Sequence, residues 1–201
     1  TEGPRVRFLF GSRMLKEKGV VELAEAASRL VNDGLPVEFT FAGSHVPGTP
    51  SALRPSELES IRAQPHVRWL GHVEDMPGLL AESDVVVLPS HGEGTPRILL
   101  EAAAMEKPIV ASDVAGCRGP VEHEVNGLLV PPRDVDSLEA ALRRLAGDAE
   151  LRRRMGAAGR EIAVEQFSES SVIERTLAIY RTFGIQVKAR APVANLEATV
   201  R

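Results

Sequence analysis

Glu93 and Glu101, two carboxylates with seven residues between them in HGEGTPRILLE, and Arg13 and Lys18, two cations in GSRMLKEKG, are the residues whose types and spacing could do chemistry. The carboxylates fall more than one helical turn apart, too far to act as a close acid/base pair on one face. Their separation suits gripping different parts of an extended ligand. Ionised carboxylates are strong acceptors for the hydroxyls of a sugar or a ribose. Two cations close after a strand could clamp a diphosphate, the arginine as a planar fork and the lysine as a point charge. Each residue also has a plainer reading. Glu93 would favour a helix N-terminus, Glu101 sits four residues after Arg97 where an ion pair can form, and Arg13 and Lys18 would suit a solvated basic loop.

These residues need elements to position them. In VVVLPSHGEGTPRILLEAAAMEKPIV the apolar run reads as a buried strand ending near Pro89, and a helix is predicted to begin at Pro96, with Thr95 as its N-cap. The amides of Arg97 and Ile98 then fall in the first turn, where backbone N–H groups lack intrahelical partners and the helix dipole is positive. Such an end, at the carboxyl end of a parallel strand, is a ready anion site. Gly11, Ser12, Arg13 and Lys18 follow the first apolar run in the same way. His91 borders the Glu93 loop and reads as structural.

Short apolar runs alternate with segments of helical period. The runs are Val6 to Phe10, Val37 to Ala42, Val67 to Leu70, Asp84 to Leu88, Pro108 to Ala111 and Leu128 to Val130. Helices are predicted at Val20 to Asn32, Pro55 to Ala63, Met76 to Ala81 and Pro96 to Met105, with a short piece near Gly119 to His123. This is the pattern of a Rossmann-like α/β domain, a mostly parallel six-stranded sheet with helices on both faces. In the first helix Leu23, Ala26, Ala27 and Leu30 recur at three- and four-residue spacing, so that face should lie on the sheet. From Asp134 onward the pattern is purely helical: Ser137 to Ala146, Ala149 to Gly156, Gly159 to Glu165 and Ser168 to Phe183, read as a C-terminal cap. Asp136 or Ser137 is expected to cap the first of these, and Ser168 the last. The folded domain would therefore occupy residues 1–183, and 184–201 read as a tail.

Composition narrows the function. The 201 residues are 43% hydrophobic, enough for one sizeable core, and 24 Lys and Arg against 28 Asp and Glu leave a formal charge of -4. No global basic field exists to hold nucleic acid or an anionic membrane, so a phosphate site must be local. Cys117 is the one cysteine, which excludes an intrachain disulfide and fits a reducing cytosolic setting. The five histidines show no HxH or HxxxH spacing, so no metal is expected. No apolar stretch approaches the roughly 20 residues a membrane helix needs. Arg152, Arg153 and Arg154 read as a solvated helical face. After a short TEGP lead the chain enters its first apolar run with no preceding element, as a domain cut from something longer would.

Taken in order, GSRMLKEKG, WLGHVEDMPGLL, SDVVVLPSHGEGTPRILLEAAAMEKPIVASDVAG and HEVNGLLVPPRDVDSLEAAL resemble the C-terminal half of glycosyltransferase family 4, the group 1 retaining enzymes of GT-B fold. The resemblance runs from about Arg5 to Phe183. It implies that Arg13 and Lys18 hold the diphosphate of a nucleotide-sugar donor and stabilise charge on the leaving nucleotide. It implies that Glu93 contacts hydroxyls of the transferred sugar and Glu101 those of the ribose. The loop Gly94, Thr95, Arg97 and Ile98 would present amides to sugar and phosphate, Gly11 would lie at the donor, and the backbone near Val73 would meet the base.

By the same resemblance no metal cofactor is needed, and the donor is a nucleoside-diphosphate sugar, with a UDP-sugar as the default. The acceptor, a glycan or a polyprenyl-linked saccharide of bacterial capsule or O-antigen synthesis, would be bound by an N-terminal domain absent from this chain. The isolated domain is then expected to bind nucleotide weakly and to transfer little sugar, in the cytoplasm or at the inner face of the plasma membrane as part of a full-length enzyme. Two departures stand out. Pro96 removes one amide from the loop, and Gly119 and Pro120 replace a glutamate-containing helix start. A GT-B epimerase, a glycan phosphorylase and a non-catalytic nucleotide-binding module are the alternatives.

Overall fold

The computed structural model describes residues 5–185. Six strands, β1 (Val6–Gly11), β2 (Val37–Ala42), β3 (Val67–Gly71), β4 (Val85–Leu88), β5 (Ile109–Ser112) and β6 (Gly127–Val130), form one sheet in the order β3-β2-β1-β4-β5-β6. Every pairing is parallel. Every residue of β4 and of β5 is buried, as expected for strands covered on both faces. The expected strands are present within a residue or two, because a parallel strand in the middle of such a sheet is an uninterrupted apolar run.

The parallel register of β1 on β2 sets Phe8 beside Phe39 and Phe10 beside Phe41. The first pair stacks at 4.9 Å between ring centroids and the second lies tilted at 5.3 Å. All four rings are buried, each contributing roughly 1.5–3 kcal/mol by burial. Trp69 on β3 donates its indole N–H to the Gly43 carbonyl at 2.7 Å, fixing the loop that leaves β2.

The helices are α1 (Val20–Asn32), α2 (Pro55–Arg62), α3 (Met76–Glu82), α4 (Arg97–Ala104), α5 (Val135–Gly147), α6 (Ala149–Phe167) and α7 (Glu169–Thr182). As expected, Leu23, Ala26, Ala27 and Leu30 of α1 are all buried. The chain divides into a unit over Thr1–Val164 and a second over Glu165–Arg201. Within the first, α5 buries Leu138, Leu142 and Leu145, and α6 buries Leu151 and Met155. Within the second, α7 is capped by Ser168, whose hydroxyl accepts the Ser171 amide at 3.3 Å, as the sequence indicated. The expected tail lies outside the described residues after residue 185.

Four local expectations are corrected. Helix α5 is capped by Asp134, whose carboxylate accepts the Ser137 amide at 3.0 Å; Asp136 and Ser137 already lie inside the helix. The expected break between Gly156 and Gly159 does not occur, and α6 runs unbroken through both. Gly156 is a packing site: a β-carbon there would overlap the carbonyl of Glu106. The short helix expected near 119–123 is a series of turns. Buried Asn126 organises it, donating to the Pro120 carbonyl at 2.9 Å and accepting the Glu122 amide at 2.7 Å, a side chain standing in for helical backbone bonds. The fourth concerns the start of α4 and is taken up with the site.

Candidate functional site

The strand order reverses between β1 and β4: from β1 the chain moves outward to β2 and β3, then crosses back to β4 and continues the other way. The carboxyl ends of these two neighbours flank the crevice in which an open parallel sheet usually holds its ligand. Both segments singled out in the sequence are the loops that follow these ends.

Beyond β1, the amide of Ser12 reaches the Ala42 carbonyl at 3.0 Å and that of Met14 reaches the Ser44 carbonyl at 2.9 Å, so the ladder with β2 continues past the sheet. Met14 and Leu15 are buried, while Arg13 just before them is exposed. A single 3-10 turn, Lys16–Lys18, follows and ends at Gly19, whose φ is +73°. A β-carbon there would overlap the Pro89 carbonyl at the end of β4. Glycine thus supplies both the left-handed backbone and the close approach that brings the two loops together.

The loop after β4 is tied to the same turn. The Glu17 carbonyl accepts the Ser90 hydroxyl at 3.0 Å and the His91 amide at 2.8 Å. The His91 ring spans two further elements, with Nε2 2.7 Å from Glu22 Oε1 on α1, while Nδ1 accepts Arg133 Nε at 3.3 Å. That network assigns the proton of a neutral ring to Nε2, since Nδ1 faces a donor that cannot deprotonate. His91 is therefore structural, as its sequence context suggested.

These ties set Lys18 Nζ 2.7 Å from Glu93 Oε1, with the side chains 13% and 12% exposed. Behind Glu93 runs the turn after β5. A β-carbon at Gly116 would overlap the carbonyls of Glu93 and Gly94, so this glycine lets the two backbones touch. The next residue, Cys117, is fully buried, and its thiol is pushed up to about 12 by burial and then by the Glu93 carboxylate, with Lys18 opposing.

Helix α4 begins one residue later than expected. Pro96 is its cap residue, with ψ 118°, and the carbonyl of Pro96 accepts the Leu99 amide at 3.1 Å. Proline fixes φ but leaves ψ free, and here ψ is extended, so the helix starts at Arg97. Thr95 is exposed and lies outside the cap position. The amides of Arg97 and Ile98 still open the helix, where the dipole favours an anion. Ile98 packs 2.9 Å from where a Gly11 β-carbon would stand, so Gly11 and the start of α4 are in contact.

Glu101 pairs with Arg97 at 3.1 Å, the plain i,i+4 reading of the sequence. Arg97 is 89% and Glu101 37% exposed, so the pair is worth only a few tenths of a kcal/mol, about 0.3–0.5. It would not hold Glu101 against a ligand. Val73 is half-buried in the loop after β3, two strands out from β1. The structure brings together Gly11, Lys18, Glu93 and the start of α4; it shows no bond joining Val73 or Arg13 to them among the described residues.

Sequence reasoning missed Gly116, Cys117, Glu22 and Arg133. Their sequence signals are single residues in separate loops, and only the sheet order gathers them. Among the described residues no group of three or more His, Cys, Asp or Glu is placed to hold a metal ion, and no helix is long and apolar enough to cross a membrane. A groove of about 440 Å³ lies elsewhere, between α1 and α2. Its two carboxylates are already paired, Glu25 with Arg29 and Glu57 with Arg54 and Lys16. Among the described residues no free charge converges on it.

Residues 5–148 match the family described as Glycosyl transferases group 1. The chain is 30% identical over 177 residues to alpha-D-kanosaminyltransferase of Streptomyces kanamyceticus, an overlap covering 88% of this chain and 46% of that protein. It is 28% identical over 171 residues to the capsular polysaccharide biosynthesis glycosyltransferase CapM of Staphylococcus aureus, covering 85% and 44%. Among solved structures, sucrose-phosphate synthase from Thermosynechococcus elongatus superposes with a TM-score of 0.77 at 25% identity, covering 90% of this chain and 46% of that one. The chain thus spans somewhat under half the length of the curated relatives it matches.

Proposed function

The chain belongs to the group 1 glycosyl transferases, and from that premise we propose that it is the donor-binding half of a retaining enzyme that moves a sugar from a nucleoside-diphosphate sugar to an acceptor. The observation that carries this reading is the meeting of Lys18 with Glu93 at the carboxyl ends of β1 and β4, beside the open start of α4. A cation, a carboxylate and free amides are what a sugar diphosphate needs: positive charge for the phosphates and an acceptor for hydroxyls.

In this reading Lys18 and Arg13 hold the diphosphate, with the amides of Arg97 and Ile98 as further donors. As the bond to the sugar breaks, charge grows on the departing phosphate, and donors fixed in place stabilise it without reorganising. Removal of one such donor typically costs about 10²- to 10³-fold in rate. Glu93 takes hydroxyls of the transferred sugar, and Glu101, released from its weak pair with Arg97, takes those of the ribose. Gly11, Gly94 and Thr95 let backbone approach the donor, and the chain near Val73 meets the base.

The donor is a UDP-sugar by default, and no metal takes part. The acceptor, a growing glycan or a polyprenyl-linked saccharide in bacterial surface-polysaccharide synthesis, is bound by a second region, so this chain alone transfers little sugar. Similarity to a capsular enzyme supports that assignment. The full-length protein works in the cytoplasm, peripheral to the inner face of the membrane. The test is to screen UDP- and GDP-sugars with the full-length protein and a lipid-linked acceptor. Net transfer with retained anomeric configuration is expected; epimerised donor or phosphate-dependent cleavage in place of transfer would reject the reading.

A further inference from the structure

We propose that the Lys18–Glu93 ion pair makes the site favour a sugar-bearing nucleotide over the bare nucleoside diphosphate left after transfer. The inference rests on the reading of Lys18 as a phosphate ligand and Glu93 as a sugar ligand, and adds a consequence of their contact.

Lys18 Nζ lies 2.7 Å from Glu93 Oε1, and both side chains are about seven-eighths shielded from water. Among the described residues, Lys18 is the one cation in contact with Glu93. Arg13 is exposed and makes no ion pair among the described residues. The buried Cys117 thiol, which feels both members of the pair, stays neutral and cannot replace a counter-charge.

An incoming diphosphate therefore competes with Glu93 for Lys18. As it draws the ammonium away, the carboxylate is left under-neutralised beside the phosphates, since Arg13 makes no contact with Glu93, in a place where water screens poorly. A nucleotide sugar relieves this, because the hydroxyls of its sugar donate to the freed carboxylate. A bare nucleoside diphosphate brings no donor to that position, and it bears the cost of the broken pair uncompensated. The pair thus opposes the spent nucleotide more than the donor, which favours exchange of one for the other after each turnover.

The test is calorimetric titration of the wild-type chain, Glu93→Gln, Glu93→Asp and Lys18→Ala with UDP, GDP, UDP-glucose, UDP-N-acetylglucosamine and GDP-mannose. Glu93→Gln is expected to bind the preferred nucleoside diphosphate about tenfold more tightly than wild type, a figure between exposed and desolvated pairs. It should bind the best nucleotide sugar no more tightly, so the preference for donor collapses. Glu93→Asp keeps the charge but shortens the reach, and an intermediate gain for the bare nucleotide is expected even if the glutamine variant folds poorly. Unchanged or weakened nucleoside-diphosphate binding in both Glu93 variants would overturn the inference, while a Lys18→Ala loss in the same series would leave the phosphate reading standing. Wild-type affinity in Lys18→Ala would remove the phosphate reading and the inference with it.

Discussion

Glu17 and His91 share a main-chain hydrogen bond of 2.8 Å, carbonyl to amide, between the turn after β1 and the loop after β4. That bond places Lys18, one residue beyond the first, opposite Glu93, two residues beyond the second. The Ser90 hydroxyl reinforces it on the same carbonyl at 3.0 Å, and the His91 ring ties the loop to Glu22 and Arg133. The ion pair at the crevice is thus held by backbone geometry, so side-chain substitutions at Lys18 or Glu93 should alter ligand binding more than they alter the fold.

Glu101→Gln separates the nucleoside from the phosphates. The Arg97–Glu101 pair is exposed, so stability in urea should change by less than about 0.5 kcal/mol. UDP or GDP affinity should fall about tenfold, the worth of roughly one charge-assisted hydrogen bond, while inorganic pyrophosphate binds as to wild type. An equal loss for pyrophosphate would remove Glu101 from the ribose.

Gly116→Ala puts a β-carbon into the carbonyls of Glu93 and Gly94, whereas Gly119→Ala places one in open space. The first should cost about 1–3 kcal/mol and lower donor affinity at least about tenfold by shifting the Glu93 loop; the second should stay within about 0.5 kcal/mol. Calorimetry and thermal melting compare them. Equal behaviour of the two variants would mean the Gly116 contact does not position the site.

Asn126→Ala strips the Pro120 carbonyl and the Glu122 amide of their partner in a fully buried position. Each orphaned group costs about 1–3 kcal/mol, so a loss of roughly 2–4 kcal/mol is expected in urea unfolding. A change under about 1 kcal/mol would show that the turn does not depend on this side chain.

Cys117 gives a pH dependence of defined sign. Its thiol is raised from 9.0 to about 12, chiefly by burial and next by Glu93, so above pH 9 the unfolded chain releases a proton that the folded chain keeps. This contribution to stability is full below about pH 9 and is lost as pH rises towards 12. Cys117→Ala should flatten that alkaline decline, read from urea midpoints across pH. The native thiol should also resist alkylation at pH 8 and react once unfolded. Fast alkylation of the folded chain would contradict its burial.

The fold was largely legible because each central strand is a continuous apolar run and α1 carries a regular buried stripe. Misreadings arose where one residue type serves two purposes. Gly156 and Gly159 suggested helix breaks, yet both lie inside α6, where Gly156 admits close packing against Glu106 just beyond α4. Pro96 suggested a first helical residue, yet its extended ψ makes it the cap. At the site the residue types were readable, and the Arg97–Glu101 pair was foreseeable because helical neighbours follow from spacing alone. Lys18 and Glu93 are separated by 75 positions, and their contact depends on β1 lying next to β4, which no local pattern encodes.

The most direct measurement is titration of the chain with UDP and with GDP at millimolar concentration, beside Lys18→Ala and Arg13→Ala. Saturable heat is expected with at least one nucleotide, at a Kd on the order of 0.1–1 mM. Either substitution should weaken it by about tenfold or more, with melting temperature little changed. No heat with either nucleotide, or undiminished affinity in both variants, would contradict a donor-phosphate site between the β1 and β4 loops.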